Sequence, residues 1–246
     1  MPGWPWQTTD QQTNTRIKSM MQSEHERRAY LRAMGIDVWV PRDSTDAEPV
    51  TEEAETQAAP GEPGWDALRA TVAACTRCAL HESRTQTVFG VGKPDADWMI
   101  IGEAPGAEED RRGEPFVGRA GKLLDEMLLA VGQCRERVFI ANILKCRPPN
   151  NRDPNQDEAA ACRPYLERQI QLVGPRIILA VGRIAAQQLL QTDAPVGRLR
   201  GKVHQLGGIP LVVTYHPAYL LRSPSQKRKA WDDMCMATGV MAEAAA

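Results

Sequence analysis

The stretch Trp98-Met99-Ile100-Ile101-Gly102-Glu103-Ala104-Pro105-Gly106 decides the fold. Four apolar residues run without interruption into a glycine-bounded loop, the pattern of a short strand buried on both faces. Three later runs repeat it: Val138-Phe139-Ile140-Ala141, Arg176-Ile177-Ile178-Leu179-Ala180-Val181 and Leu211-Val212-Val213-Thr214-Tyr215. Helical patterns fall between them, near 119–131, 156–173 and 183–191. The second opens with Asn155 and Glu158 in capping-box spacing and carries Leu166, Ile170 and Val173 on one face. Strand–helix alternation implies an α/β fold: three α/β/α layers around a central, mainly parallel four-stranded sheet. No internal repeat is visible.

At 246 residues, 42% apolar and 25% charged, the chain has the composition of an ordinary globular protein and excludes wholesale disorder. No stretch reaches the roughly 18 apolar residues of a membrane-spanning helix. The first residues, MPGWPWQTTDQQTNTR, have neither a basic start nor an apolar core, so no secretory signal is expected. A cytoplasmic location follows, in which six cysteines read as metal ligands or buried thiols rather than disulfides.

The net charge of -1 hides segregation. Residues 43–64 hold seven acidic residues, three prolines and no Lys or Arg, a disordered linker by composition. Residues 1–42 form a short N-terminal extension. In it, Ser23-Glu24-His25-Glu26 has capping-box form, Gly35 marks a helix stop, and Ile36-Asp37-Val38-Trp39-Val40 is strand-like. This piece is too small for its own core and either docks on the main domain or recognises another protein. The remainder, 65–246, is mildly basic, which suits nucleic acid and a mixed solvated surface equally.

Ligands of open parallel sheets sit beyond the carboxyl ends of the strands. Glu103 follows the first strand, Asn142 the second, Gly182 the third and His216 the fourth. Glu103, Asn142 and His216 are therefore expected on one edge. Cys75 and Cys78 are spaced C-x-x-C, with Cys146 and Cys162 as a second, wider pair, while Cys134 and Cys235 have no ligand pattern. Four thiolates suit structural zinc or an iron–sulfur cluster, and spacing leaves both open. The glycine-rich run 113–122 fails as a phosphate loop: Phe116 stands at the first glycine position and Leu123 replaces the metal-binding hydroxyl. No G-x-S-x-G or H-E-x-x-H occurs.

Taken in order, C-x-x-C, GEAPG-x-x-E, PFVGRAG, NILKCRPP, Cys162 and HPAYLLR resemble the family 4 uracil-DNA glycosylases, the iron–sulfur branch of their superfamily, over almost all of 70–235. Gly102-Glu103-Ala104 lacks the aspartate of family 1, and Glu103 stands where family 5 is apolar. The run CRPPNNRDPNQDEAAAC lacks the basic loop of the covalent uracil-trapping relatives. Separately, YLRAMGIDVWVPR resembles the clamp-loader-binding peptide of the bacterial replicase psi subunit, suggesting a replication partner for 23–42.

The resemblance implies a monomeric, monofunctional glycosylase, which hydrolyses the bond between uracil and deoxyribose in single- and double-stranded DNA and leaves an abasic site for base excision repair. It implies a [4Fe–4S] cluster on Cys75, Cys78, Cys146 and Cys162. Catalysis would fall to Glu103, positioning water or stabilising the sugar cation, and to His216, donating to uracil O2. Uracil would be bound by Gly102, Phe116 (stacking), Asn142 (N3–H and O4) and Glu109 (near C5, excluding the thymine methyl). DNA contacts would come from Leu220 and Leu221 as a wedge, and from Arg222, Arg198, Arg200 and Lys202 on phosphates, with Lys227, Arg228 and Lys229 nearby. Two other readings are a non-catalytic uracil or damaged-DNA binding module and a replication-associated interaction protein.

Overall fold

The computed structural model describes residues 64–243. The extension 1–42 and the linker up to residue 63 lie outside the described residues. The chain runs through α1 (Trp65–Ala73), α2 (Leu80–Ser83), β1 (Val91–Gly92), β2 (Trp98–Gly102), α3 (Ala107–Arg112), α4 (Arg119–Ala130) and β3 (Phe139–Asn142). It continues with α5 (Gln156–Val173), β4 (Ile177–Val181), α6 (Arg183–Leu190), α7 (Val196–Leu199), β5 (Val203–Leu206), β6 (Ile209–Thr214), α8 (Pro217–Arg222) and α9 (Lys227–Glu243).

The four apolar runs are β2, β3, β4 and β6, contiguous and parallel in the order β3-β2-β4-β6. The sheet has six strands rather than four, because β1 and β5 pair antiparallel at its two edges. Neither has an apolar run to announce it. β1 is two residues long, and Val203-His204-Gln205-Leu206 is half exposed. The β5–β6 hairpin closes on Gly207-Gly208, both at positive φ, as a type I′ hairpin turn demands.

Alternate residues of each central strand feed opposite cores. Met99, Ile101, Ile178, Ala180, Leu211 and Val213 pack with α1, α5 and α6 residues such as Leu68, Leu166 and Ala185. Trp98, Ile100, Ile177, Leu179 and Val212 pack with Leu124 and Leu128 of α4 and Met234 and Ala237 of α9. Helices thus cover both faces, which is why these strands read as continuous apolar runs. Truncating a fully buried Ile or Leu here to Ala costs about 2–5 kcal/mol.

The α5 capping box forms in full: the Asn155 side chain accepts from Glu158 N at 2.8 Å and Glu158 returns the bond to Asn155 N. From β2 the chain crosses to β3 on one side and then returns to β4 on the other. The strand order reverses there, so a crevice opens between the carboxyl ends of β2 and β4.

Candidate active site at the carboxyl edge of the sheet

A cavity of about 690 Å³ occupies that crevice, and Glu103, Glu109, Phe116, Asn142, His216 and Arg222 are among the residues that line it. The strand ends expected to converge do so.

Gly102 closes β2 in register with Asn142 at the end of β3. A Cβ at Gly102 would stand 2.5 Å from Asn142 Oδ1 and 2.6 Å from the Phe116 ring, so only glycine lets amide and ring close over this backbone. Asn142 is 2% exposed and its Oδ1 has no hydrogen-bond partner among the described residues. A buried amide oxygen left unpaired costs about 1–3 kcal/mol, a debt that an N–H donor entering the cavity would cancel.

His216 caps α8: its Nδ1 accepts from Ala218 N at 3.1 Å. Burial, reinforced by the Arg222 guanidinium and opposed by Glu109, pulls the ring down to about 4. The imidazole is therefore neutral at neutral pH, and its proton sits on Nε2 as a donor. Phe116 stacks against this ring with centroids 5.6 Å apart. Burial pushes the Glu103 carboxyl up to about 7; Asp153 adds to the rise and Arg183 opposes it. Arg183 is itself ion-paired with Asp153. Neutral acceptor, neutral donor, flat ring and half-ionised carboxyl thus share one cavity.

Several expected roles change. Glu109 lines the cavity, but its Oε1 accepts from Val117 N and Gly118 N at 3.0 and 3.1 Å, so that oxygen is committed to the loop rather than to a base edge. Leu220 is 1% exposed and faces α4 and α9, so it cannot be a wedge; Leu221, 38% exposed, is available. Arg200 is not a free phosphate ligand: it holds the buried Asp233 through two bonds, at 2.8 and 3.0 Å, and also donates to Lys229 O. Arg198, Lys202 and Arg222 are exposed, and Arg222 also reaches the cavity.

Cys75, Cys78, Cys146 and Cys162 line one small separate cavity. Among the described residues no group of three His, Cys, Asp or Glu side chains is arranged to hold a metal ion. The four thiols are all free, and two of them accept from neighbours: Arg84 donates to Cys146 Sγ at 3.0 Å and Lys145 N to Cys162 Sγ at 3.3 Å. Burial pushes Cys162 up to about 11 against the pull of Lys145. Cys134 and Cys235 are not part of this wall.

Sequence reasoning passed over Lys145, Arg183 and Tyr219. Arg183 and Tyr219 line the main cavity; Arg183 comes one residue after Gly182 at the end of the third strand and was within reach of the strand-end logic. Lys145 is 1% exposed, and its ammonium donates to Asn142 O at 2.9 Å and Gln169 Oε1 at 2.6 Å. Its place beside Cys146 was the only signal. It joins the thiol cavity to the strand end that carries Asn142.

Comparison with known proteins agrees with this layout. Residues 89–235 match the family model described as the uracil DNA glycosylase superfamily. A type-4 uracil-DNA glycosylase from Pyrobaculum aerophilum is 45% identical over 173 residues, 67% of this chain and 88% of the relative. Those of Archaeoglobus fulgidus and Thermotoga maritima are 42% and 45% identical, covering 66% and 62% of this chain and 85% and 81% of theirs. The chain belongs to the uracil DNA glycosylase superfamily, among its type-4 members, and is a hydrolase that removes uracil from DNA.

Proposed function

We propose that the crevice between β2 and β4 is where this chain binds an extruded deoxyuridine and hydrolyses its glycosidic bond. The observation that carries the reading is the buried, unpartnered Oδ1 of Asn142. Uracil offers N3–H beside O4, which one amide meets with its acceptor and its donor together, whereas cytosine presents the opposite pattern. Phe116 supplies a flat face for the base.

As the bond between C1′ and uracil N1 breaks, its electron pair leaves with the base and negative charge gathers on O2. The Nε2–H of neutral His216 donates to that oxygen. Loss of one such donor typically costs 10²–10³ in rate. Water adds to C1′ with Glu103 as the carboxylate that orients it and stabilises the sugar cation. One water is consumed; its hydroxyl stays on C1′ and its proton ends on the uracil anion. Among the described residues that line the cavity there is no lysine to attack the sugar, so the DNA strand is left intact and the reaction is that of a monofunctional glycosylase.

The chemistry of the thiol cavity suits a [4Fe–4S] cluster held by Cys75, Cys78, Cys146 and Cys162: the donors are all sulfur and they come from four positions around one cavity. When bound, the cluster would act as a structural cross-link between residues 75–78, the segment after Asn142, and α5. Leu221, Arg222, Arg198 and Lys202 are assigned to DNA. Residues 65–246 form the glycosylase domain, a monomer in the cytoplasm, where free thiols persist. For the extension, the likeness of YLRAMGIDVWVPR to the clamp-loader-binding peptide of the replicase psi subunit supports a replication-protein contact through residues 23–42; deleting 1–64 should abolish partner capture and spare excision.

The test is excision from a uracil-containing single strand in EDTA, followed by alkali. Strand breaks only after alkali, falling at least 100-fold in Asn142→Ala, are expected; breaks without alkali, or unchanged excision in Asn142→Ala, would overturn the assignment.

A further inference from the structure

Phe116 has φ +54°, a left-handed conformation that a bulky residue adopts only when its surroundings impose it. The chain on either side shows what does so. Immediately after it, the amides of Val117 and Gly118 both donate to one oxygen, Glu109 Oε1, at 3.0 and 3.1 Å. Immediately before it, the Pro115 carbonyl accepts from the Arg135 guanidinium. Arg135 is in turn fixed by Asp125 of α4 at 3.1 Å. Beneath the residue, the Phe116 carbonyl oxygen lies where a Cβ on Gly121 would be, so the first turn of α4 is cut away to admit it.

We propose that Glu109 and Arg135 are positioning residues which clamp the two sides of Phe116 and so aim its ring into the cavity. The inference rests on Phe116 being the stacking face for uracil. It moves Glu109 from the base edge to the loop and brings in Arg135, which sits on the segment between α4 and β3. The clamp matters because Phe116 is attached through a single strained residue: with either set of bonds removed, the backbone can relax to negative φ and carry the ring away from Gly102 and His216. A carboxylate on two backbone amides is a charge-assisted pair, stronger than neutral bonds.

Full-length enzyme is tested on a uracil-containing single strand under single-turnover conditions, in a double-mutant cycle of Glu109→Ala with Phe116→Ala, with thymine-containing DNA in parallel. Glu109→Ala should lose about tenfold or more in rate, the equivalent of the lost bonds to a charged acceptor. Glu109→Gln, which keeps an acceptor oxygen, should recover most of that loss. In the Phe116→Ala background, Glu109→Ala should cost less than about twofold further, because a clamp with no ring to aim has nothing left to do. Arg135→Ala should behave like Glu109→Ala, and Arg135→Lys should recover part. Melting temperatures report folding, and the cycle is read only on variants that melt within a few degrees of the parent; Glu109→Gln and Arg135→Lys supply the comparison if the alanine variants do not. Fully multiplicative losses on an enzyme that depends on Phe116 would overturn the clamp alone. Thymine excision gained by Glu109→Ala with uracil excision intact would overturn it in favour of a methyl-excluding side chain. No effect of Phe116→Ala would instead overturn the stacking assignment beneath it.

Discussion

Uracil excision should follow the ionisation of Glu103, whose carboxyl is held near 7 instead of the ordinary 4.5. With that midpoint the fraction ionised falls from about 97% at pH 8.5 to about 3% at pH 5.5, a loss of roughly 30-fold. An ordinary glutamate would lose only about 10% over the same range. His216, held near 4, stays neutral throughout and adds no limb of its own. The perturbations separate the causes. Arg183→Gln removes the opposing cation and should move the midpoint up; Asp153→Asn removes the reinforcing anion and should move it down. The assay is single-turnover excision from a uracil-containing single strand at saturating protein, from pH 5 to 9 at constant ionic strength. Glu103→Gln should be slow and flat. A midpoint below about 5, or an acid limb that survives in Glu103→Gln, would refute the assignment.

The same shift has a sign for stability. A carboxyl whose folded-state pKa is raised favours the fold below its unfolded value, and that contribution is lost as pH rises through 7. Glu103→Gln should therefore melt higher than the parent at pH 8, with the difference closing by pH 4. Arg200→Ala strands the 1%-exposed Asp233 carboxyl or forces a proton onto it; about 3–5 kcal/mol corresponds to a fall of roughly 6–20 °C for a domain of this size. Weakened DNA binding with unchanged melting would contradict that role. Leu221→Ala should slow excision from duplex more than from single strands with little change in melting, whereas Leu220→Ala should cost about 2–5 kcal/mol of stability; the reverse pattern would sink the wedge assignment. Cys146→Ser and Cys162→Ser should lower bound iron and sulfide, while Cys134→Ser and Cys235→Ser should leave both at the parent level.

Much of this architecture was legible because its central strands are buried on both faces. Ile100, Leu179 and Val212 have apolar neighbours along the chain as well as across the sheet, so each strand appears as an unbroken run. Edge strands carry no such mark: β5 exposes half its residues, and only Gly207-Gly208 hints at the hairpin. Strand ends likewise brought Glu103, Asn142 and His216 together correctly, since a parallel sheet sends all its carboxyl ends to one edge. What the sequence could not resolve was which way a side chain turns once it arrives. Leu220 and Leu221 are neighbours on a helix, about 100° apart around its axis, and only the packing of α8 decides that Leu220 turns in and Leu221 out. Arg200 looks like any surface arginine until Asp233, far along the chain, is folded against it. Glu109 reached the cavity wall as expected, yet backbone amides eight and nine residues away took up its oxygen.

The central claim, that Asn142 Oδ1 receives the N3–H of the extruded base, is tested most directly by a substrate carrying N3-methyl-deoxyuridine. That methyl group removes the donor and crowds the amide while leaving the glycosidic bond and O2 in place. The parent enzyme should cleave it at least 100-fold more slowly than deoxyuridine, and Asn142→Ala should treat the two substrates alike. Equal cleavage of both by the parent enzyme would contradict the account.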